Sequence, residues 1–342
     1  MIRESVANFV HRDQKKMNEP LIFRSRRSPR ILILISVLCI GVLALAVVLM
    51  NRKALWPSSK AGMRPFPSIE QLMAMSHDDL VLQDIAVGNL VCAEGLNGSE
   101  HLNIRTCVRQ LDQWAETATR LTRNNEFRFP AQSQKTGNSI NRWRCAALVQ
   151  YLSQVVGLSF NPLLKQREFS QPDDTSYFHD SRDFFIHGLI IESNRGTCAS
   201  MPVLFASVAR RMGYPIKLVT TRNHLFARWD SSSETFNIEL TDKFAQFKPD
   251  EFYRSFPSQL NPGEVERRGY LVSLSPEREL SAFLHLRGMC LWSQGKLAET
   301  RDVFAASAQL DPDYKEQGQQ NYFVIEVERQ IKQGKEEIQG RP

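Results

Sequence analysis

The sequence predicts an α+β chain with an N-terminal transmembrane helix, a helical front half, a core containing an antiparallel sheet and a C-terminal helical hairpin. Three observations lead there: an uncharged run at 31–50, apolar residues at helical spacing from 69 to about 158, and a helix followed by alternating strands between 199 and 241.

Residues 1–30 form a basic tail, in which eight Lys/Arg stand against Glu4, Asp13 and Glu19, a net +5. Residues 31–50, ILILISVLCIGVLALAVVLM, carry no charge and are long enough as a helix to cross a hydrocarbon core of roughly 30 Å. A membrane span is therefore expected there. The run exceeds a signal-peptide core, and no small-x-small cleavage site follows it. The cluster Arg24, Arg26, Arg27 and Arg30 outweighs the basic residues after the span, which places the N-terminus in the cytoplasm and the larger part outside it, in a periplasm-like compartment. Residues 51–68, rich in Pro, Ser and Lys, read as a linker.

Of the formal charge of +6, the tail accounts for all but about one unit, so the remainder presents no basic face for nucleic acid. The six cysteines contain no CxxC pair of the kind that binds zinc, so a metal is not indicated. In the helical half, Ser76 or His77 opens a helix whose apolar side holds Leu80, Leu82, Ile85, Leu90 and Val91. Cys92 and Cys107 flank GLNGSEHLN, and spacing leaves open both a disulfide and two small buried helix residues.

The chemistry-bearing stretch is RGTCASMPVLFASVARRMGYPIKLVTTRNHLFARWDSSSETFNIELTD. A glycine turn ends at Cys198. From Ala199 to Met212 apolar residues recur at helical spacing, and Gly213 stops the helix. Cys198 thus stands at a helix start, where unpaired N–H groups and the positive end of the dipole favour a thiolate. Strands follow at 216–221, 223–229 and 235–241, with His224 opening the second and Glu239 on the third. A turn at Ser231-Ser232 pairs positions so that His224 directly faces Glu239 and leaves the alternative acid, Asp242, three residues along. A thiol nucleophile needs a base to take its proton and an acid to orient that base, and Cys198, His224 and Glu239 supply the set. His187, in FFIHGLI, lies on an apolar stretch and reads as a packed residue.

This order of cysteine on a helix start, histidine on a strand and acid on the next strand resembles the transglutaminase-like superfamily of the papain-type fold. The residues carrying the resemblance are GTC at 196–198, the RRMGYP helix end, NHLFARW with His224, and NIELT with Glu239 where most members have aspartate. VCAEGLNG, FYRSFP and SPERELSAFLHLRG further resemble a bacterial subgroup, so the likeness covers roughly residues 75–315. It implies a transglutaminase-like domain at 69–275 that acts by thiol acyl transfer or hydrolysis at peptide or amide bonds, with a protein or peptide substrate and no cofactor. Some relatives are inactive, so a non-catalytic scaffold binding a protein partner stays open.

Residues 276–330 resemble one tetratricopeptide repeat, with Leu284, Gly288, Gly295, Phe304 and Pro312 near its packing positions. A solitary hairpin is expected to cap its neighbour rather than form a binding superhelix, with docking of a partner protein as the alternative. Residues 331–342 read as a frayed, charged tail.

Overall fold

In the computed structural model, residues 65–161, 175–192, 194–241, 245–311 and 324–333 are described. The chain divides between Phe66 and Pro67 into two units, and the second carries all the elements below.

The helical front half follows from its caps and its apolar spacing. Ser68 accepts from the Gln71 N–H and Gln71 answers to the Ser68 N–H, a reciprocal box that opens the short helix Ile69–Met73. Ser76 and Asp84 cap His77–Leu82 and α1 (Ile85–Ala93) through side-chain oxygens that accept from the Asp79 and Ala86 N–H groups. All nine residues of α1 are buried, so this helix runs through the core. The long α2 (Ile104–Asn125) buries only one stripe, including Ile104, Cys107, Leu111, Trp114 and Ala118, and turns its charges to solvent. Ser139 caps α3 (Ile140–Gln150), which runs on as a π-helical turn over Tyr151–Val156 and stops at Gly157, at φ +89°.

Two short parallel strands, β1 (Ser159–Phe160) and β2 (Arg195–Gly196), pair just before α4 (Met201–Arg211). The antiparallel sheet follows α4 with the order β3 (Ile216–Thr221), β4 (His224–Asp230), β5 (Thr235–Ile238). α4 packs on this sheet, and α1 and α2 pack on α4. The other side of the sheet is covered by the segment from Asp250 to Leu271, where Val219, Phe226, Tyr253, Leu260, Tyr270 and Leu271 form one apolar cluster.

α5 (Pro276–Ser293) and α6 (Leu297–Leu310) form the C-terminal hairpin. Gly288 permits their close approach, because a Cβ there would stand 2.3 Å from the Phe304 ring. The hairpin docks on the front half through Arg287, whose guanidinium donates to the carbonyls of Cys92 (2.9 Å) and Glu94 (2.7 Å), and on α4 through an ion pair between Arg210 and Glu279.

Two expectations are corrected. The α+β class gives way to a mainly helical fold with a small sheet: β5 leaves the ladder after Ile238, and the following stretch contains the short helices Asp250–Tyr253 and Glu264–Arg268 where a larger sheet would need strands. Among the described residues, no helix is long and apolar enough to cross a membrane. The longest, α2, carries Arg105, Arg109, Asp112, Glu116, Arg120 and Arg123, each costly in hydrocarbon. The run at 31–50 lies outside the described residues. The transmembrane helix, the membrane contact, and the single-pass placement with a cytoplasmic N-terminus and an exported, periplasmic domain are accordingly not carried further.

Candidate active site

The Cys198 loop is held rigid by its neighbours. The Thr197 N–H donates to Ser200 Oγ (3.0 Å), and both hydroxyls donate to the Asp183 carbonyl, at 2.7 Å from Thr197 and 3.1 Å from Ser200. The Met201 N–H reaches the Thr197 carbonyl at 3.0 Å, so residues 197–201 form a helical turn leading into α4. Gly196 is required by crowding: a Cβ would lie 2.8 Å from Ser200 Oγ and 2.9 Å from Leu189. Cys198 therefore stands one turn ahead of the helix, half-exposed, on a backbone with little freedom.

The two-residue turn between β3 and β4 brings His224 to the Cys198 thiol. Thr221 pairs with His224, leaving Arg222 and Asn223 as the loop, and Asn223 takes φ +57°, a conformation asparagine tolerates. The Asn223 carbonyl accepts from Cys198 Sγ at 3.9 Å. The next residue, His224, is 7% exposed and bonds through Nε2 to Glu239 Oε2 at 2.8 Å. Cys198 is the other side-chain partner of this ring, which leaves Nδ1 as the nitrogen toward sulfur.

The other oxygen of Glu239 is also fixed. Oε1 accepts from the N–H groups of Leu240 and Thr241, both at 3.0 Å, and from the Thr241 hydroxyl at 2.6 Å. Burial raises the proton affinity of this carboxyl, yet the bonds from His224 and Thr241 win and hold its pKa below the usual carboxylate value. For His224, burial disfavours the charged ring, but the contacts with Cys198 and Glu239 overcome it and lift the pKa to about 9. The pair is thus suited to a buried imidazolium beside a carboxylate.

Tyr253 and Phe256 roof the histidine. The Tyr253 ring stacks on Phe226 at 3.7 Å between centroids, and Phe256 meets His224 edge-on at 5.3 Å. Burial, then the nearby Glu239 charge, push the Tyr253 hydroxyl pKa upward, so it stays neutral. These two aromatics come from the FYRSFP segment, and nothing in their local sequence indicates that they cover His224. The Thr241 hydroxyl was within reach of sequence reasoning, since it lies two residues from Glu239 on the same strand face.

The remaining candidates fall elsewhere. Cys92, Cys107, Cys145 and Cys290 are free and buried, and burial pushes their thiols up, to about 12 for Cys92, about 11 for Cys107 and about 12 for Cys290. Cys92 and Cys107 are therefore packed thiols and not a disulfide. His187 is buried with Nε2 3.1 Å from the Gly98 carbonyl, and burial lowers its pKa. Asp242 lies outside the described residues. Among the described residues, no group of three or more His, Cys, Asp or Glu could hold a metal ion.

No family model matches the chain, and no solved structure matches it. The chain is similar to F-box only protein 21 of Pongo abelii, at 23% identity over 146 residues, 43% of this chain and 22% of that protein. It is similar to F-box only protein 21 of Homo sapiens at 22% identity over the same share of each chain. The chain thus spans about a fifth of the length of the curated relatives it matches. The similarity is compatible with a protein partner and shows no membrane partner.

Proposed function

We propose that the chain is a thiol-dependent enzyme acting on peptide or amide bonds, with Cys198 as nucleophile, His224 as base and Glu239 as the residue that orients the base. The observation that carries this reading is the buried His224–Glu239 pair at 2.8 Å beside a half-exposed thiol, while the other described cysteines are sealed in the core. Nδ1 of His224 takes the Cys198 proton, and the sulfur adds to the substrate carbonyl carbon. The resulting oxyanion can be met by the Cys198 N–H, which has no partner among the described residues. As the C–N bond breaks, the amine leaves with the proton from His224 and a thioester forms on Cys198. Water or a second amine then attacks the thioester, transfers a proton to His224 and releases the thiol, giving hydrolysis or acyl transfer respectively. The protein partner of this reading is the substrate.

A second reading, a non-catalytic scaffold for a protein partner, draws its support from the similarity to F-box only protein 21. Alkylation separates the two. The enzyme reading expects iodoacetamide to modify Cys198 at least about 10-fold faster than Cys145 or Cys290, and His224→Ala to remove most of that advantage. Equal, slow modification of all thiols favours the scaffold.

A further inference from the structure

The tip of the β3–β4 hairpin is fastened from outside the sheet. Arg222, the first of the two turn residues, donates from Nε to Glu264 Oε1 at 3.0 Å and from Nη2 to Glu264 Oε2. Its Nη1 donates to the Gln259 carbonyl at 2.8 Å. We propose that Arg222 is a positioning residue of the thiol site: its clamp on Glu264 and Gln259 sets the Asn223 carbonyl and the His224 ring against Cys198. The proposal rests on the thiol-enzyme reading above.

The anchor is fixed where the tip is not. Glu264 is 2% exposed and opens the short helix Glu264–Arg268, and its Oε2 also accepts from the Asn261 N–H at 2.9 Å. The Leu260 N–H reaches the Arg254 carbonyl at 2.9 Å and closes the loop between them, which carries Phe256 edge-on to His224. Arg222 therefore joins the turn that leads into the histidine to the loop that covers it. A hairpin tip is the part of a sheet that opens at least cost, so the tilt of this turn depends on its side-chain contacts. Asn223 and His224 follow Arg222 directly, and the Asn223 carbonyl is 3.9 Å from Cys198 Sγ. A misplacement of about 1 Å at such a site can cost roughly 100-fold in rate.

Magnitudes favour position over stability as the use of this pair. The Coulombic gain of a buried ion pair is largely cancelled by the desolvation of its two charges, and an uncharged pair of similar shape often folds as well. What the guanidinium adds is a planar fork, which fixes direction as well as distance on both carboxylate oxygens. Lysine, a point charge on a flexible stem, keeps the charge and loses the fork.

The test measures iodoacetamide alkylation of Cys198 in the full chain by peptide mapping, for Arg222→Lys alone and combined with His224→Ala, with circular dichroism to establish folding. Arg222→Lys is expected to slow Cys198 alkylation at neutral pH about 10-fold. Because the effect passes through His224, the same substitution should change the rate by less than about 2-fold where His224 is already alanine. A general loosening of the fold would slow both backgrounds alike. A rate in Arg222→Lys within about 2-fold of the unaltered protein, or equal slowing in both backgrounds, overturns the proposal. If Arg222→Lys does not fold, the double variant Arg222→Met/Glu264→Gln, which removes both charges and keeps an acceptor for the Asn261 N–H, carries the same comparisons and the same refuting results. An unchanged Cys198 rate in His224→Ala sinks the thiol-enzyme reading and the positioning role with it. A loss with His224→Ala and none with Arg222→Lys sinks the positioning role alone.

Discussion

His224→Gln removes a titrating ring while leaving a side chain that can still donate to Glu239, and the consequence is a change in how stability depends on pH. In the folded protein the His224 pKa stands near 9, against 6.5 for the free side chain. Because the folded pKa is raised, the stabilisation is fully present below pH 6.5, where both states hold the proton. It falls away as pH rises toward 9, since the unfolded chain then gives up a proton that the folded one keeps. At about 1.4 kcal/mol per pKa unit, the shift amounts to roughly 3 kcal/mol across that window. The acid limb is separate: the lowered Glu239 pKa contributes stability present above about pH 4.5, the ordinary value of a free glutamate, and lost as pH falls through the folded value. Urea unfolding at several pH values, for the unaltered protein and the variant, isolates the histidine as a difference, because the buried cysteines that titrate near the alkaline end are common to both. The expected difference declines steadily from pH 6.5 to 9. A flat or rising difference would refute the picture of an imidazolium held by Glu239 and Cys198.

Thr241→Val, nearly isosteric, deletes the 2.6 Å hydroxyl bond to Glu239 Oε1 and is expected to slow His224-dependent alkylation of Cys198 about 10-fold; Thr241→Ser should restore it. Gly288→Ala drives a methyl to 2.3 Å from the buried Phe304 ring, so calorimetry should find a loss of about 1–3 kcal/mol despite alanine's better helix propensity, with recovery in the double variant Gly288→Ala/Phe304→Leu.

The site was more legible in the sequence than the architecture around it. The helix at 201–211 and the strands at 216–221 and 224–230 follow directly from period and turn residues. The hairpin register was read two positions off. Asp230 pairs with Thr235 and Ala227 with Ile238, so the turn is Ser232-Ser233 and not Ser231-Ser232. Three consecutive serines give no local reason to prefer either. The Ser231 side chain decides, accepting from the Glu234 N–H at 3.1 Å and donating to its carbonyl at 3.0 Å. Sliding a two-residue turn by one position changes the pairing by two, and a shift of two keeps every side chain on its face. Glu239 therefore stays on the His224 side. The fold class was less accessible, because helical and extended propensity in residues 245–275 is weak and the choice between short helices and further strands is made by packing over the sheet. The aromatic roof joins segments far apart in the chain, which periodicity cannot connect.

The corrected register also accounts for a glutamate, and not an aspartate, as the partner of His224. Continued one residue past the last pair, Ala227 with Ile238, the register sets Glu239 level with Phe226, and His224 is two residues back on the same face, so carboxylate and ring meet along a diagonal. Diagonal neighbours are about 7–8 Å apart at the backbone, against about 4.5–5.5 Å for directly opposed ones. Aspartate, one methylene shorter, spans the direct distance and falls short of the diagonal one. The longer side chain also lets the carboxylate turn back over its own strand end, where β5 has left the ladder and the N–H groups of Leu240 and Thr241 donate to it. One oxygen is then fixed by three donors of its own segment and the other is aimed at Nε2. The early end of β5 and the glutamate at 239 are two sides of one arrangement: with the ladder continued, those N–H groups would be committed elsewhere, and the carboxylate would have only the histidine to hold it in place.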